Sequence, residues 1–555
     1  MTTSSLTGSP LADPRLDGPR ISLTALCKAI SFGSAIDALT RSFRLVVCLV
    51  LVAGASMSVS EAHAQTAPPA SARPDIEASP DRWRLLEPLG IGERPRNPLY
   101  NPYTPSLVKG DYPLFGDKVF FAATGVIDTF ADFKRNLDFF SGGRFRNIPY
   151  HEHNMLGQVT AVAFFEVFHG DTVFQPKDLA IRLAPVMRFR CGDNNATDHG
   201  CGEYITLQEG FAELKLFEVG RTFDATSVRA GIQGFNSDFF GLVFNDVQTG
   251  VRFFGELDRN QFKVNLAAFD RLSKEKLAAL NELGKRREHQ VAVLSLQWDD
   301  FIWPGFNILP SVVYSHDEAP AVVTPGHLDA WYLGLAVAGH VGRVNVAGAV
   351  YYVTGRTARN TPTRTRQDIS AATVFAQAAY PINLLNPRLS VVYGTGDDDP
   401  TDRSARGFDA VFDNVAFGGG QFSYVFGEKI QLGGTVFLRG NSVYPSLRAA
   451  NATSQYVNPG VLAINPGIDL TLTATTLFEA NYNYVRFDDT SSLGRQVSSE
   501  VGHELNAGVT WRPLSNEQII LFAGGAVFFP GGGVKDTFGN DDPVYKTVVR
   551  LVLTF

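Results

Sequence analysis

Apolar and polar residues alternate with period two over many stretches of this chain. Ile181, Leu183, Met187 and Phe189 share one face of an extended segment, with Arg182, Arg188 and Arg190 on the other. Val228, Ala230 and Ile232 oppose Arg229 and Gln233. Phe262, Val264, Leu266 and Ala268 oppose Lys263 and Asn265. Trp331, Leu333, Leu335 and Val337 oppose Tyr332, Gly334 and Ala336. Phe478, Ala480, Tyr482 and Tyr484 oppose Glu479, Asn481 and Asn483. Leu505, Ala507, Val509 and Trp511 oppose Glu504, Asn506, Thr510 and Arg512. The last stretch, VYKTVVRLVLTF, sets Tyr545, Thr547, Val549, Leu551, Leu553 and Phe555 against Lys546, Val548, Arg550, Val552 and Thr554. One such segment describes any half-buried strand. About 18 of them, each roughly ten residues long with turn residues between, describe an all-β, antiparallel transmembrane β-barrel, and the even-number rule favours 16 or 18 strands.

Composition narrows this picture. The chain has 555 residues, a net charge of −7, 12% aromatic residues and 52 glycines. A soluble chain of this length usually splits into several domains, whereas a barrel closes one sheet. Mean hydropathy near zero is compatible with a wall whose alternate residues meet lipid. No basic run with interleaved aromatics argues for nucleic acid. An apolar run over residues 45–55 is too short to span a bilayer, and Ala62, His63 and Ala64 match the small-x-small cleavage rule. Residues 1–64 are therefore expected to be a signal peptide with an extended first region, cleaved after Ala64. Cys48 within the run lacks the small residues of a lipoprotein signal. Residues 65–117, rich in Pro, Ala and Arg, read as a short periplasmic lead-in. Residues 118–555 read as the barrel, in a Gram-negative outer membrane with lipid as its surroundings. The terminal strand ends on an aromatic and is similar to the signal read by the barrel-assembly machinery, with Tyr545, Val549, Leu551, Leu553 and Phe555 as its outward face.

Two connections stand out. Leu272 to Arg287 places Leu277, Leu280 and Leu283 at three-residue spacing after Ser273, and reads as a short helix or a charged loop. Cys191 and Cys201 flank a polar loop and are the two cysteines left after signal removal. An oxidising compartment favours a disulfide; a metal site with His199 is the alternative.

Tyr393, Gly394, Thr395, Gly396 and Asp397, then Pro400, Asp402, Phe408 and Asp409, form a motif that resembles alginate-export-type outer-membrane barrels. Val457 to Gly460, Asn483 to Phe487, Leu207 to Phe211 and Val228 to Gln233 resemble that family too. The resemblance spans residues 204–555. It implies a single-chain porin or exporter passing polar or anionic solutes such as oligosaccharides, without naming the solute. On the residues themselves, the polar face would line the pore: Arg182, Arg188, Arg190, Lys215, Arg229, Arg252 and Lys263, with Glu209, Glu213 and Glu256. Seven cations against three acids favour anions; mutual pairing inside the lumen is the alternative. Asp397, Asp399 and Asp402, with Asp398, carry oxygens suited to calcium, or else form a solvated acidic loop; no other cofactor is expected. His151, Glu152 and His153 lack helical metal-site spacing, and no GxSxG occurs, so no enzyme is expected. A structural or adhesin barrel and an outer-membrane hydrolase are the alternative functions.

Overall fold

In the computed structural model the alternating stretches are strands, because β-branched and aromatic residues fit a pleated surface whose two faces meet different surroundings. The structure describes residues 107–135, 153–170, 176–195, 198–219, 224–275, 280–318, 326–358, 366–413, 415–426, 454–493, 496–515, 517–539 and 541–555. The signal and cleavage site, most of the lead-in, His151 and Glu152 lie outside these residues.

The strands are β1 (Lys109–Phe115), β2 (Val119–Arg135), β3 (His153–His169), β4 (Leu179–Asn195), β5 (Asp198–Glu218), β6 (Ala225–Asn236), β7 (Asn245–Leu257), β8 (Phe262–Lys274), β9 (Asn281–Trp298) and β10 (Phe306–Asp317). They continue as β11 (Leu328–Val341), β12 (Val344–Thr357), β13 (Gln367–Ala379), β14 (Leu385–Gly394), β15 (Ser404–Ala405), β16 (Val461–Thr473), β17 (Thr476–Arg486), β18 (Glu500–Trp511), β19 (Ile519–Pro530) and β20 (Val544–Thr554). A short helix, α1 (Gly532–Phe538), precedes β20. Each strand from β2 to β14 pairs antiparallel with the next, β14 pairs with β16, and the run continues to β20. Finally β20 pairs with β2, Val126 opposite Thr554 through Arg135 opposite Tyr545. With β1 and β15 set aside, the twenty strands leave a closed ring of eighteen. A closed ring satisfies every ladder group internally, as a bilayer requires.

The two faces differ as a membrane wall demands. Ile181 and Leu183 are 51% and 49% exposed on the outside, while Tyr332, Tyr351 and Val353 of the inward face are 0% exposed. Aromatic pairs mark both ends of the outer surface: Phe262 with Trp298 at 5.1 Å between ring centres near one end, and Tyr314 with Trp331 at 4.6 Å near the other. The turns at the β7–β8, β11–β12 and β16–β17 end are short. The β14–β16 connection at the opposite end covers residues 395–460. Short turns on one side and long loops on the other are the usual polarity of an outer-membrane barrel.

Two sequence expectations change. First, residues 65–117 contain β1. Strand β20 covers only Val126–Arg135 of β2, and β1 pairs along the remaining edge, with Lys109 opposite Ala122 and Phe115 opposite Val119. An uncovered edge would otherwise expose unpaired ladder groups. Second, the described part of the stretch from Leu272 to Arg287, residues 272–275 and 280–287, is not a helix. It is the end of the β8–β9 hairpin, with Leu272 opposite Arg286 and Lys274 opposite Asn281. Leu280 turns inward and packs on Val186 beside Val162 and Tyr204, whereas Leu283 is 52% exposed; Leu277 lies outside the described residues. The β4–β5 ladder also skips Gln208, since Ala184 faces Glu209 but Pro185 faces Leu207. That bulge switches which parity faces inward. Thr206 is consequently inward, donating 2.8 Å to the Asn281 carbonyl.

Candidate functional site

The described residues of the β14–β16 connection do not stand out in solvent. Residues 395–426 and 454–460 turn into the barrel and form a strap across it. Near its start Tyr332 donates to the Asp409 carbonyl at 3.0 Å and meets the Tyr456 hydroxyl. Val411 and Phe412 donate to the Val243 carbonyl, and Phe412 lies under Arg271 and Lys274 of β8. At its far side the Gly418 carbonyl accepts from Asn483 at 2.8 Å and Asn506 at 2.7 Å. Glu504 accepts the amides of Tyr424 and Val425 at 2.7 and 2.8 Å. Lys546 donates to the carbonyls of Gln421 and Ser423 at 2.8 and 3.3 Å. Counting round the ring from β2, β8 is seventh and β18 sixteenth, so nine places separate them, half of eighteen. The strap therefore follows a diameter.

Glycines make room for it. An added Cβ at Gly508 or Gly524 would lie 2.4 or 2.5 Å from the ring of Phe422, so only glycine admits that ring to the wall. Gly418, Gly419 and Gly420 turn the strap with φ of 58°, 99° and 51°, a left-handed path that side chains rarely take.

On the β9–β17 side of the strap the lumen is filled. Phe408, Ala410, Val411 and Tyr456 pack with Tyr332, Val353 and Ala371 in one buried apolar cluster. The opposite side, from β20 through β2 to β8, stays wet. There the side chains of Arg550 and Asp128 remain 36% and 25% exposed. Most of the residues expected on the pore wall are found here, and the structure pairs many of them with acids that the sequence reading had not placed. Arg182 binds Glu209 at 2.9 Å and Glu166 at 3.7 Å. Arg229 binds Glu213 at 2.6 Å, and Lys215 binds Asp178 at 2.6 Å and Glu218 at 2.7 Å. Lys263 binds Asp299 at 3.0 Å, opposite the exposed Glu256 in the β7–β8 ladder. The excess of seven cations over three acids is thus largely neutralised at the short-turn end.

Nearer the strap the balance differs. Arg188 donates 3.0 Å to the Thr160 hydroxyl, two residues from Arg190. Arg252 donates 2.8 Å to the neutral Asn265 and stacks over Phe235 and Phe254, while Arg229 stacks over Phe211 and the same Phe254. Stacking on ring faces holds a guanidinium in place without cancelling its charge. Arg550 is gripped by Asp128 at 2.8 Å and by Gln421 of the strap at 3.1 Å. Arg271 and Lys274 share Asp246 at 3.0 and 2.7 Å. Charge interactions link Asp128 to Arg188 and Arg188 to Lys274. Arg188, Arg271, Lys274 and Arg550 thus gather with Asp128 and Asp246 where the strap narrows the lumen. Arg271, Lys274, Asp246, Asp128 and Gln421 were absent from the sequence expectation. Their roles depend on the strap, which no periodicity encodes.

The acidic run sits at the root of the strap. Asp397 is fully buried and accepts the Arg406 amide at 2.9 Å. Asp399 accepts from Thr401, and Asp402 accepts the Ser404 amide at 2.7 Å. The Arg406 guanidinium joins Asp398 and lies 3.3 Å from Asp402. Asp398 and Asp402 thus share the Arg406 guanidinium while Asp397 and Asp399 accept backbone amides, and among the described residues no group of three or more His, Cys, Asp or Glu is placed to hold a metal ion. Burial, with Asp402 and Asp398 nearby, pushes the Asp397 carboxyl up to about 6, against the pull of the Arg406 amide. A raised folded-state value means stability is full below the open-chain value near 3.8 and fades as pH rises through about 6. The difference is worth at most about 3 kcal/mol. We expect Asp397→Asn to abolish a pH dependence of proteolysis at the strap root between pH 4 and 7; identical profiles for both proteins would refute the assignment.

Cys191 and Cys201 are opposite one another in the β4–β5 ladder and are joined by a disulfide, with Cα atoms 4.0 Å apart. Ser315, His289 and Asp317 superficially resemble a hydrolytic triad, with His289 Nε2 2.8 Å from the Ser315 hydroxyl. Arg271 lies 3.1 Å from Nδ1, however, and a guanidinium only donates. The ring proton is therefore on Nε2 and points at Ser315, the wrong tautomer for a base, and all three side chains are buried. Of the terminal strand, Tyr545 and Val549 face outward at 45% and 46% exposure, and Phe555 exchanges both backbone hydrogen bonds with Gly125 of β2, at 2.8 and 3.2 Å.

No protein-family model and no curated protein sequence matches the chain. Among solved structures it is similar to Pseudomonas aeruginosa OpdK with vanillate, at 11% identity and a TM-score of 0.45 over 78% of this chain and 99% of that one. It is similar to P. aeruginosa OccK2 (OpdF) in complex with glucuronate, at 10% identity and 0.46 over 78% and 98%. A third is the outer membrane protein OprD from P. aeruginosa, at 12% identity and 0.44 over 78% and 94%. None of these likenesses assigns a family or a solute to this chain.

Proposed function

We propose that the chain is an outer-membrane pore that passes polar solutes, anions before cations, through the half of the lumen between the strap and the β20–β2–β8 wall. The observation that carries this reading is the contrast across the strap. One side is a dry apolar core; the other keeps partly exposed charged side chains, Arg182, Lys263 and Arg550 among them, and holds the guanidinium groups of Arg188 and Arg252 on a hydroxyl, an amide and ring faces. Charged groups lining a narrow passage set its ion preference. The motif resembling alginate-export barrels supports the same class, because its residues from Tyr393 to Asp409 form the strap's root.

In planar bilayers the refolded protein is expected to show a reversal potential favouring anions at low salt. The preference should fade at high salt, because the Debye length falls from about 30 Å at 0.01 M to about 3 Å at 1 M. Replacing Arg188, Arg190 and Arg252 together by glutamine should shift the preference toward cations without preventing assembly, since lumen positions tune selectivity more than stability. Replacing the acid-paired Arg182 alone should shift it less. A native pore that prefers cations at low salt would overturn the proposal.

A further inference from the structure

We infer that residues 418–426, the far end of the strap, form a releasable tip, and that the wall beneath it on β16, β17, β18 and β20 is a second solute-lining surface suited to neutral hydroxylated solutes. This rests on the pore reading above and extends it to the closed side of the strap.

The two ends of the strap lie on different kinds of wall. Its root covers Tyr332, Val353, Ile369 and Ala371, all buried and apolar. Uncovering that wall would return apolar surface to water at about 25 cal/mol per Å². The tip covers Asn465, Asn481, Asn483, Glu504, Asn506 and Lys546, each buried to 4% exposure or less. These groups exchange one set of hydrogen bonds for another when water replaces the tip. Apolar side chains there would leave the buried carbonyls and amides of the tip without partners; the polar wall holds the seated tip and is equally met by water when the tip lifts.

The tip is also held in a way that suits release. Wall residues contact its main chain: the Gly418 carbonyl, the carbonyls of Gln421 and Ser423, and the amides of Tyr424 and Val425. The three left-handed glycines at 418–420 provide the joint. Against release stand Phe422, seated on Gly508 and Gly524, and Tyr424, stacked on Phe528 at 6.0 Å. The seated tip is therefore the major state and the lifted one the minor.

The uncovered wall defines the solute. Asn465 donates to Asn483 at 2.8 Å, Asn481 donates to Asn506 at 3.0 Å, and Asn483 and Asn506 both donate to Glu504. These rows offer donors and acceptors side by side, as vicinal hydroxyls require, with a glycine-floored notch for an apolar ring face. Their net charge, one acid and one base, favours neither ion.

The test uses the folded full-length chain with Asn506→Cys or, independently, Asn481→Cys, and a water-soluble maleimide. Slow labelling of both thiols above the parent's background is expected, quickened roughly tenfold by Glu504→Ala, which removes the latch acceptor. Two positions guard against one variant failing to fold. A thiol that never reacts, or one that reacts at a rate indifferent to Glu504→Ala, would overturn the tip. In bilayers, Phe422→Cys/Gly524→Cys under oxidation should abolish a larger conductance state and sucrose passage while gluconate passage persists, compared with the parent treated identically. Sucrose passage unchanged by this lock would overturn the second surface. Absence of any conductance would defeat the pore reading, whereas the labelling result would still decide the tip.

Discussion

Removal of Phe555 alone is expected to leave the chain unassembled. The barrel closes where β20 meets β2, and the last residue exchanges two backbone hydrogen bonds with Gly125 there. Each contributes about 1 kcal/mol to the finished structure, a small loss. The larger effect is on assembly, because these bonds lie where the two ends of the sheet must find each other, next to the edge that β1 covers. We propose that the outward row Tyr545, Val549, Leu551, Leu553 and Phe555 is what the assembly machinery grips. The deletion should accumulate in the periplasm with little heat-modifiable, folded barrel in the outer membrane. Lys546→Ala is the contrasting variant. Its side chain points inward to the strap, so it should assemble while loosening Gln421 and Ser423. Equal insertion of the truncated and parent chains would remove Phe555 from the assembly signal.

Glu504→Ala should free the strap without opening the barrel. Glu504 is fully buried and accepts four hydrogen bonds, from the amides of Tyr424 and Val425 and the side chains of Asn483 and Asn506, at 2.7 to 2.8 Å. Truncation leaves those donors without an acceptor, at about 1–3 kcal/mol for each one still buried. Lifting the tip lets water satisfy them, so the strain falls on the strap and not on the β17–β18 ladder. Chymotrypsin should then cut after Phe422 or Tyr424, and mean conductance should rise, while the folded barrel keeps its gel mobility. Glu504→Gln retains one acceptor and should lie between the two. An alanine variant with parental proteolysis and conductance would show that Glu504 does not hold the strap.

Much of the architecture was legible from period alone. Alternation in segments such as Ile181 to Arg190 and Phe478 to Tyr484 specifies a strand with one apolar face, because successive side chains leave a pleated backbone on opposite sides. Repetition of that pattern, with a closing aromatic strand, specifies a barrel near eighteen strands. Local pattern misled where packing partners came from far away. The leucines around Leu280 mimicked a helix because one of them reaches inward to Val186 of β4. The cations of the wall looked unbalanced because Glu166, Asp178 and Asp299 reach them from other strands or turns.

The strap shows the division most clearly. Its acidic root and glycine turn are visible in the sequence, and Asn483, Glu504 and Asn506 are readable as inward positions of their strands. That Phe412 and the glycine turn meet opposite walls is not readable, since it depends on eighteen strands closing into one ring and setting β8 and β18 half a circumference apart. Strand identity and facing follow from chemistry within a few residues. The narrowing of the lumen and the latch on Glu504 follow from closure, which alone brings residues as far apart in sequence as Asp128 and Arg550 within hydrogen-bond reach.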